Sequence, residues 1–177
     1  FDDEAFVART GYTGEDGVEI LIPTESGIKL WDKLLEDGVA PCGLGCRDTL
    51  RLEAGMHLYG SEMDTTTTPY EASLGWIVNA QKPYIGKSIL EKQKKNGIEK
   101  KLVAITLTKR NIARHDYPII ENDVIIGKVT SGTWSPSLSI PIALAYVPTE
   151  LSKVGSKIYV KIRGKLEQAT VVKKPFY

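Results

Sequence analysis

The spacing of apolar residues changes about halfway along the chain. Before Gly97 the apolar positions follow strand-like and helical spacing in turn, whereas after Lys101 they recur at every second position. The first part therefore predicts short strands and helices, and the second part predicts a series of antiparallel strands. We expect a split near Gly97 between an α/β portion and an all-β domain.

Two strands and two helices are predicted in the first third of the chain. Residues 4–9 and 18–22 have the alternation of strands, and a turn-rich segment joins them. Helical spacing begins at Thr24, after a proline, and again in residues 46–55. This part of the chain alternates strand and helix.

Helix signals continue in the middle of the chain. Residues 68–71 (Thr-Pro-Tyr-Glu) have the form of a capping box with proline at the first helical position, which predicts a helix start. Residues 85–97 predict a short helix that stops at a glycine. Four aromatic side chains are expected to pack in the core or between domains: Tyr59, Tyr70, Trp76 and Trp134.

The last part of the chain predicts a small closed barrel or a sandwich. Its strand candidates are short and are separated by turn signals, including residues 132–136 and Arg163–Gly164. The candidates are residues 102–107, 118–120, 124–129, 142–147, 157–162 and 168–172.

Composition excludes several classes of function. The 177 residues are 42% hydrophobic and carry a formal net charge of +1, so no basic stripe for nucleic acid or an acidic membrane is indicated. The only cysteines, Cys42 and Cys46, and the only histidines, His57 and His115, do not have the spacing of a metal site. No stretch approaches the ~20 apolar residues that span a bilayer. We expect reduced thiols, no metal, no nucleic-acid partner and no membrane association.

Two segments, residues 9–20 and 43–55, place glycines and charges where a core segment would have aliphatic residues. Glu19 lies within the strand that follows the first glycine-rich turn. It is either a solvent-facing residue of a half-buried strand or a carboxylate that accepts two adjacent N–H groups, such as those on the edge of a pterin ring. Tyr12 is either a turn aromatic or a stacking surface for a flat ring.

Arg47 stands at the start of the second helix, where the helix dipole disfavours a basic residue. Either a surface pair forms, Arg47 with Asp48 or Arg51 with Glu53, or Arg47 meets a carbonyl or carboxylate of a ligand. No Ser/His/Asp or Cys/His constellation is visible in the sequence, so no catalytic residue is assigned.

The chain resembles the T-proteins, the tetrahydrofolate-dependent aminomethyltransferases of the glycine cleavage system. The resemblance covers essentially the whole chain, and its motifs occur in the family's order. Seven segments carry it: residues 9–19, 47–60, 68–76, 84–87, 127–138, 142–147 and 174–177.

The resemblance implies transfer of a one-carbon unit from the aminomethyl-lipoyl carrier protein (H-protein) to tetrahydrofolate, with release of ammonia. It implies that Glu19 and Arg47 contact the pterin and that Tyr12 lines the folate site. It implies tetrahydrofolate as acceptor without a metal, and a location in the bacterial cytoplasm or the mitochondrial matrix.

The resemblance also implies an α+β fold, a partial folate-binding α/β portion followed by a C-terminal antiparallel β-barrel. Residues 1–57 would be the second part of the folate-binding domain, 58–97 part of the middle domain, and 98–177 the barrel. The match is to the C-terminal half of the family, and the family's catalytic aspartate lies in the other half. We therefore expect a chain that is inactive alone, with an N-terminal portion that exposes apolar surface and self-associates.

Two other functions remain open at this stage. One is the folate domain of a dimethylglycine or sarcosine oxidoreductase, which would need a flavin domain upstream. The other is a non-catalytic β-barrel module that binds single-stranded nucleic acid or a protein. The near-zero net charge and the few aromatic residues after Lys101 argue against nucleic acid.

Overall fold

The computed structural model describes residues 3–177. It divides into two compact units, the first ending at Arg51 and the second running from Leu52 to Tyr177. The assignment of residues 1–57, 58–97 and 98–177 to three domains of a T-protein fold stays a prediction.

The first unit contains a two-stranded sheet and helices. Strand β1 (Phe6–Ala8) pairs antiparallel with β2 (Glu19–Leu21), so that Val7 lies opposite Ile20. Helix α1 (Thr24–Glu36) begins directly after Pro23, as predicted. Helix α2 (Leu44–Glu53) begins and ends two residues earlier than the predicted range of 46–55, and the boundary between the units falls inside it.

Apolar side chains of the first unit are widely exposed, which confirms that part of the expectation. Every residue of β1 and β2 except the half-buried Ala8 is exposed, and Leu21 at the end of β2 is 75% exposed. Helix α1 buries only Ser26. The most exposed large apolar side chains in this unit include Phe6, Val7, Val18, Leu21, Ile28, Trp31 and Leu44. Self-association through this surface stays a prediction.

The predicted helix at residues 68–71 does not form, although its capping hydrogen bonds do. The Thr68 N–H donates to Glu71 Oε2 (2.9 Å), and the Glu71 N–H donates to Thr68 Oγ1 (3.3 Å). Ser73 then adopts a positive φ of 60°, a left-handed conformation that ends helical propagation. Its hydroxyl donates to the Leu102 carbonyl (2.8 Å), so a tertiary hydrogen bond competes with the local helix signal.

The segment continues as a single-turn 3-10 helix (Gly75–Ile77) and then as helix α3 (Lys87–Asn96). Gly97 ends α3 with φ of 86°, which confirms the predicted glycine stop. Trp76 and Tyr59 do not pack in the core, because Trp76 is 83% and Tyr59 is 67% exposed; packing of the two side chains between domains stays a prediction. Trp76 stands on the 3-10 helix, which has no buried residue of its own.

A closed six-stranded antiparallel barrel forms the rest of the second unit. It confirms the predicted α+β class with a C-terminal barrel. Around the barrel the strands follow the order β3, β6, β5, β4, β7, β8. They are β3 (Lys100–Leu107), β4 (Pro118–Glu121), β5 (Val124–Ser135), β6 (Ile140–Pro148), β7 (Lys157–Ile162) and β8 (Lys165–Val172).

Buried and exposed residues alternate along the strands, and the buried side chains fill the barrel. In β7 the residues Ile158, Val160 and Ile162 are buried while their neighbours are exposed, the pattern of a strand with one face in the core. A second apolar cluster includes Leu52 from the end of α2, Leu102 from β3 and other buried or half-buried side chains. Strand β3 therefore contributes buried apolar side chains to a cluster on each of its two faces.

The turn predicted at residues 132–136 is wrong, because β5 continues to Ser135. A β-carbon at Gly132 would lie 2.0 Å from the Ala113 carbonyl oxygen, so the glycine here allows two backbone segments to approach closely. The predicted turn at Arg163–Gly164 is confirmed: both residues have positive φ, 49° and 83°. Among residues 3–177, no helix is long and apolar enough to cross a membrane.

Candidate functional site

The glycine-rich segment between β1 and β2 is held by polar contacts at its base. Arg9 pairs with Asp16 in a two-pronged contact, Nε to Oδ1 at 3.1 Å and Nη2 to Oδ2 at 2.7 Å. Both side chains are exposed, so the pair is worth under about 1 kcal/mol. Gly14, at the tip of the segment, has φ of 82°, which favours glycine. The contact brings the two ends of the loop together.

Glu19 is the first residue of β2, and its side chain is exposed. The Thr10 hydroxyl donates a hydrogen bond of 2.6 Å to Glu19 Oε2. Because Thr10 belongs to the glycine-rich segment, this hydrogen bond holds the carboxylate against that segment. The structure therefore places a carboxylate beside the glycine-rich segment.

Tyr12 and Arg47 are in contact. The guanidinium carbon of Arg47 lies 4.9 Å from the centroid of the Tyr12 ring, within the range of a cation–π interaction. Tyr12 is half-buried and Arg47 is exposed. The Arg47 N–H donates to the Gly43 carbonyl (3.1 Å), which places it in the first turn of α2.

The hydrogen bonds of Asp48 and Glu53 show whether the surface pairs predicted from the sequence form. Asp48 Oδ1 accepts from Arg51, at 2.8 Å from Nε and 2.7 Å from Nη2. Glu53 is engaged elsewhere, by serines of the barrel. Neither predicted pair, Arg47 with Asp48 or Arg51 with Glu53, is formed, and Arg47 stacks on Tyr12 instead.

The three predicted site residues thus lie in the first unit, on or beside the glycine-rich segment and the start of α2. Tyr12 and Arg47 are brought together, and Glu19 is held by Thr10 two positions before Tyr12 in the sequence. A flat aromatic face, a planar set of N–H donors and a carboxylate are what recognition of a heteroaromatic ligand requires. Their role in binding folate stays a prediction.

Sequence reasoning missed a buried carboxylate, Glu53 at the end of α2. Its oxygens accept hydrogen bonds from the Ser135 hydroxyl, from the Ser137 hydroxyl (2.8 Å) and from the Ser137 N–H (3.3 Å). Its main-chain carbonyl accepts from the N–H groups of Phe176 (2.9 Å) and Tyr177 (3.3 Å). Glu53 therefore joins the β5–β6 turn to the final residues of the chain within the second unit.

Two more buried carboxylates support the second unit. Glu62 Oε2 accepts from the Leu58 N–H (2.8 Å), and the Glu62 carbonyl accepts from the Tyr146 hydroxyl (2.7 Å). Burial raises the pKa of the Tyr146 hydroxyl well above its ordinary value, and nearby carboxylates act in the same direction. Glu167 in β8 contacts Asn111 (3.0 Å) and Lys109 (3.1 Å).

No group of three or more acidic, cysteine or histidine residues that could hold a metal ion occurs within residues 3–177. The two cysteines, Cys42 and Cys46, are exposed.

Two protein-family models match the chain. Residues 2–82 match the GCVT N-terminal domain, and residues 100–177 match the glycine cleavage T-protein C-terminal barrel domain. The second match covers all six strands of the barrel.

Curated relatives match over almost the full chain. A protein named aminomethyltransferase from Synechococcus sp. (strain CC9311) is 59% identical over 174 residues, which are 97% of this chain and 47% of the relative. An aminomethyltransferase from Prochlorococcus marinus (strain MIT 9313) is 58% identical and covers 97% of this chain and 46% of its own length. The chain spans about half the length of the curated relatives that it matches.

A solved structure has the same fold. The glycine cleavage system aminomethyltransferase T from Bartonella henselae superposes with a TM-score of 0.93 at 35% identity, covering 98% of this chain and 50% of that one. The sequence relatives, the two family models and this structure agree with one another. The chain belongs to the glycine cleavage T-protein family.

Proposed function

We propose that the protein acts in the aminomethyl-transfer step of glycine cleavage and binds tetrahydrofolate through Tyr12, Glu19 and Arg47. The one-carbon unit would come from the aminomethyl-lipoyl carrier protein (H-protein), with release of ammonia. Relatives that are named aminomethyltransferase support this proposal over the folate domain of an oxidoreductase and over a non-catalytic barrel module.

The stack of Arg47 on Tyr12 is the observation that carries the proposal. Because Asp48 is occupied by Arg51, no carboxylate neutralises the Arg47 guanidinium along the helix. Its N–H groups can therefore donate to a carbonyl or carboxylate of a ligand, and the ring beneath restricts their plane. A binding role accounts for an arginine in the first turn of a helix, where the dipole is unfavourable.

Glu19 and Tyr12 would complete the recognition of the pterin. A pterin edge presents a ring N–H beside an exocyclic amine, and a carboxylate can accept both in parallel. An aromatic ring offers a stacking face to the flat heterocycle. Tetrahydrofolate supplies the carbon chemistry, and these residues supply orientation and charge.

The chain alone is proposed to be inactive, because no carboxylate in it matches the family's catalytic aspartate. No catalytic residue is assigned here. The carrier protein would be its macromolecular partner, and the compartment would be the bacterial cytoplasm or the mitochondrial matrix.

Reconstitution tests this function. The chain would be combined with the remaining portion of the Synechococcus sp. (strain CC9311) relative, to which it is 59% identical. Formation of methylenetetrahydrofolate from the aminomethylated carrier and tetrahydrofolate would be measured. We expect turnover by the mixture and none by either part alone, with Arg47→Lys reducing it. Turnover by the chain alone would refute its predicted inactivity, and a mixture that forms a complex without turnover would contradict the proposed function.

A further inference from the structure

The final residues of the chain hold one lysine in a fixed position in the second unit. Gly55 has φ of 69°, and a β-carbon there would lie 3.1 Å from Lys174 Cβ and 3.5 Å from Pro175 Cα. The Phe176 N–H donates to the Glu53 carbonyl (2.9 Å). Lys174 lies directly against Gly55, because Gly55 has no side chain and because the Phe176 hydrogen bond holds the neighbouring residues in place.

The Lys174 side chain lines a cavity of about 520 Å³. Its Nζ lies 3.5 Å from His57 Nε2, and this imidazole nitrogen is 2.7 Å from the Ala72 carbonyl oxygen, to which it donates. Most of the remaining wall is apolar and includes Met56, Met63, Leu74 and Trp76. The amine thus faces an open, weakly polar cavity that is large enough for a small organic molecule.

Burial favours the neutral form of the Lys174 amine, which is the reactive one. Desolvation lowers the pKa of Lys174, since an apolar surrounding disfavours the charged form. Glu62 raises the pKa of Lys174 and Lys101 lowers it, and the His57 ring nitrogen lies 3.5 Å from the amine. A larger fraction of the amine is therefore neutral near pH 7 than in an exposed lysine, and the neutral amine is the nucleophile.

We propose that Lys174 is a covalent capture site for small aldehydes that enter this cavity. The ε-amine adds to the carbonyl carbon and forms a C–N bond. Loss of the carbonyl oxygen as water, with both amine protons, then gives the imine. No oxidant or reductant is needed, and the step is reversible by hydrolysis. This inference does not depend on folate binding or on aminomethyl transfer.

Reductive methylation tests the proposal on the intact chain. Formaldehyde at limiting concentration, with cyanoborohydride to trap the imine, would be applied at pH 7, and the initial methylation rate of each lysine would be measured by peptide mass spectrometry. Lys173 is the matched control because it is adjacent in sequence and exposed.

We expect Lys174 to be methylated at least about threefold faster than Lys173 at pH 7. We expect this ratio to fall towards one or below as the pH approaches 11, where both amines are neutral. Equal or slower modification of Lys174 at pH 7, or a ratio that does not change with pH, would overturn the proposal.

A Gly55→Ala variant provides a second readout, because it alters the contact between position 55 and Lys174. Gly55→Ala places a methyl group against Lys174 Cβ, so we expect the rate ratio at pH 7 to drop to about one. An unchanged rate ratio in a folded Gly55→Ala variant would contradict the role of the contact between Gly55 and Lys174. If that variant does not fold, Lys173 and Lys174 of the unaltered chain still decide the proposal.

Discussion

The guanidinium carbon of Arg47 lies 4.9 Å from the centroid of the Tyr12 ring. The two residues are far apart in sequence, and each belongs to a segment with an unusual concentration of glycine and charge. Their contact joins the loop between β1 and β2 to the first turn of α2. It is the relationship on which the proposed folate site depends.

Replacing the Tyr12 ring should weaken tetrahydrofolate binding. Tyr12→Leu removes the stacking face and the cation–π contact, which at an exposed site is worth about 0.5–1 kcal/mol, or roughly a two- to fivefold increase in Kd. Tyr12→Phe keeps the ring and should bind within about twofold of the unaltered chain. Fluorescence titration of the chain and both variants measures this. A loss of the same size in Tyr12→Phe would show that the ring face is not what matters.

Glu53 should stabilise the second unit. Glu53→Gln replaces a buried carboxylate that accepts from Ser135 and Ser137, and hydrogen bonds to a charged group are worth about 1.5–3 kcal/mol, so we expect the free energy of unfolding to fall by about 2 kcal/mol. The control is Glu150→Gln, whose side chain is exposed. Urea denaturation monitored by circular dichroism provides the comparison. Equal stabilities of the two variants would rule out this role for Glu53.

Tyr146 should make stability fall at alkaline pH. Its folded-state pKa is raised above the ordinary value of 10.0, so the hydroxyl stays protonated in the folded chain while it ionises in the unfolded chain. The stabilisation is complete below about pH 10 and is lost above it, by up to about 1.4 kcal/mol per pH unit.

Tyr146→Phe tests this assignment. At pH 8 it should cost about 1 kcal/mol, since the hydrogen bond to the Glu62 carbonyl is lost. Between pH 10 and pH 11.5 the variant should lose less stability than the unaltered chain. The lowered pKa of Lys174 acts in the opposite direction in both proteins, so their difference isolates Tyr146. Parallel stability curves would contradict the assignment.

The exposed face of α1 should drive self-association. Ile28, Trp31 and Leu35 share one side of the helix, and all three are at least 41% exposed. Trp31→Glu should shift sedimentation velocity profiles towards the monomer at high protein concentration. Gln81→Glu makes the same change of charge at an exposed loop position and should leave the profiles unchanged. A compact monomer at all concentrations of the unaltered chain would contradict the prediction.

The barrel was predictable where local alternation reports burial. In β7, each buried aliphatic residue is followed by an exposed one, and the structure reproduces the predicted strand bounds, Lys157–Ile162. The prediction failed where distant atoms decide the backbone. Ser73 donates to the Leu102 carbonyl instead of continuing a helix, and Gly132 lies within a strand, where its lack of a side chain lets the Ala113 carbonyl approach closely. Neither contact leaves a local signal in the sequence.

The candidate site was predictable only in part. Glycine and charge placement, together with the family resemblance, selected Tyr12, Glu19 and Arg47, but the Arg47 stack on Tyr12 depends on tertiary geometry. Glu53 and Ser135 are 82 residues apart, so the contact between this carboxylate and the β5–β6 turn had no sequence signature. Lys174 was part of a family motif, and only the structure places it in a cavity beside His57.

A calorimetric titration with tetrahydrofolate tests the central claim most directly. It would compare the chain, Glu19→Ala and Glu15→Ala, the last being an exposed carboxylate of the same segment that serves as the matched control. We predict binding by the chain and by Glu15→Ala, and loss of binding in Glu19→Ala. Equal affinity in all three proteins, or no binding by the unaltered chain, would contradict the account of a folate site at Tyr12, Glu19 and Arg47.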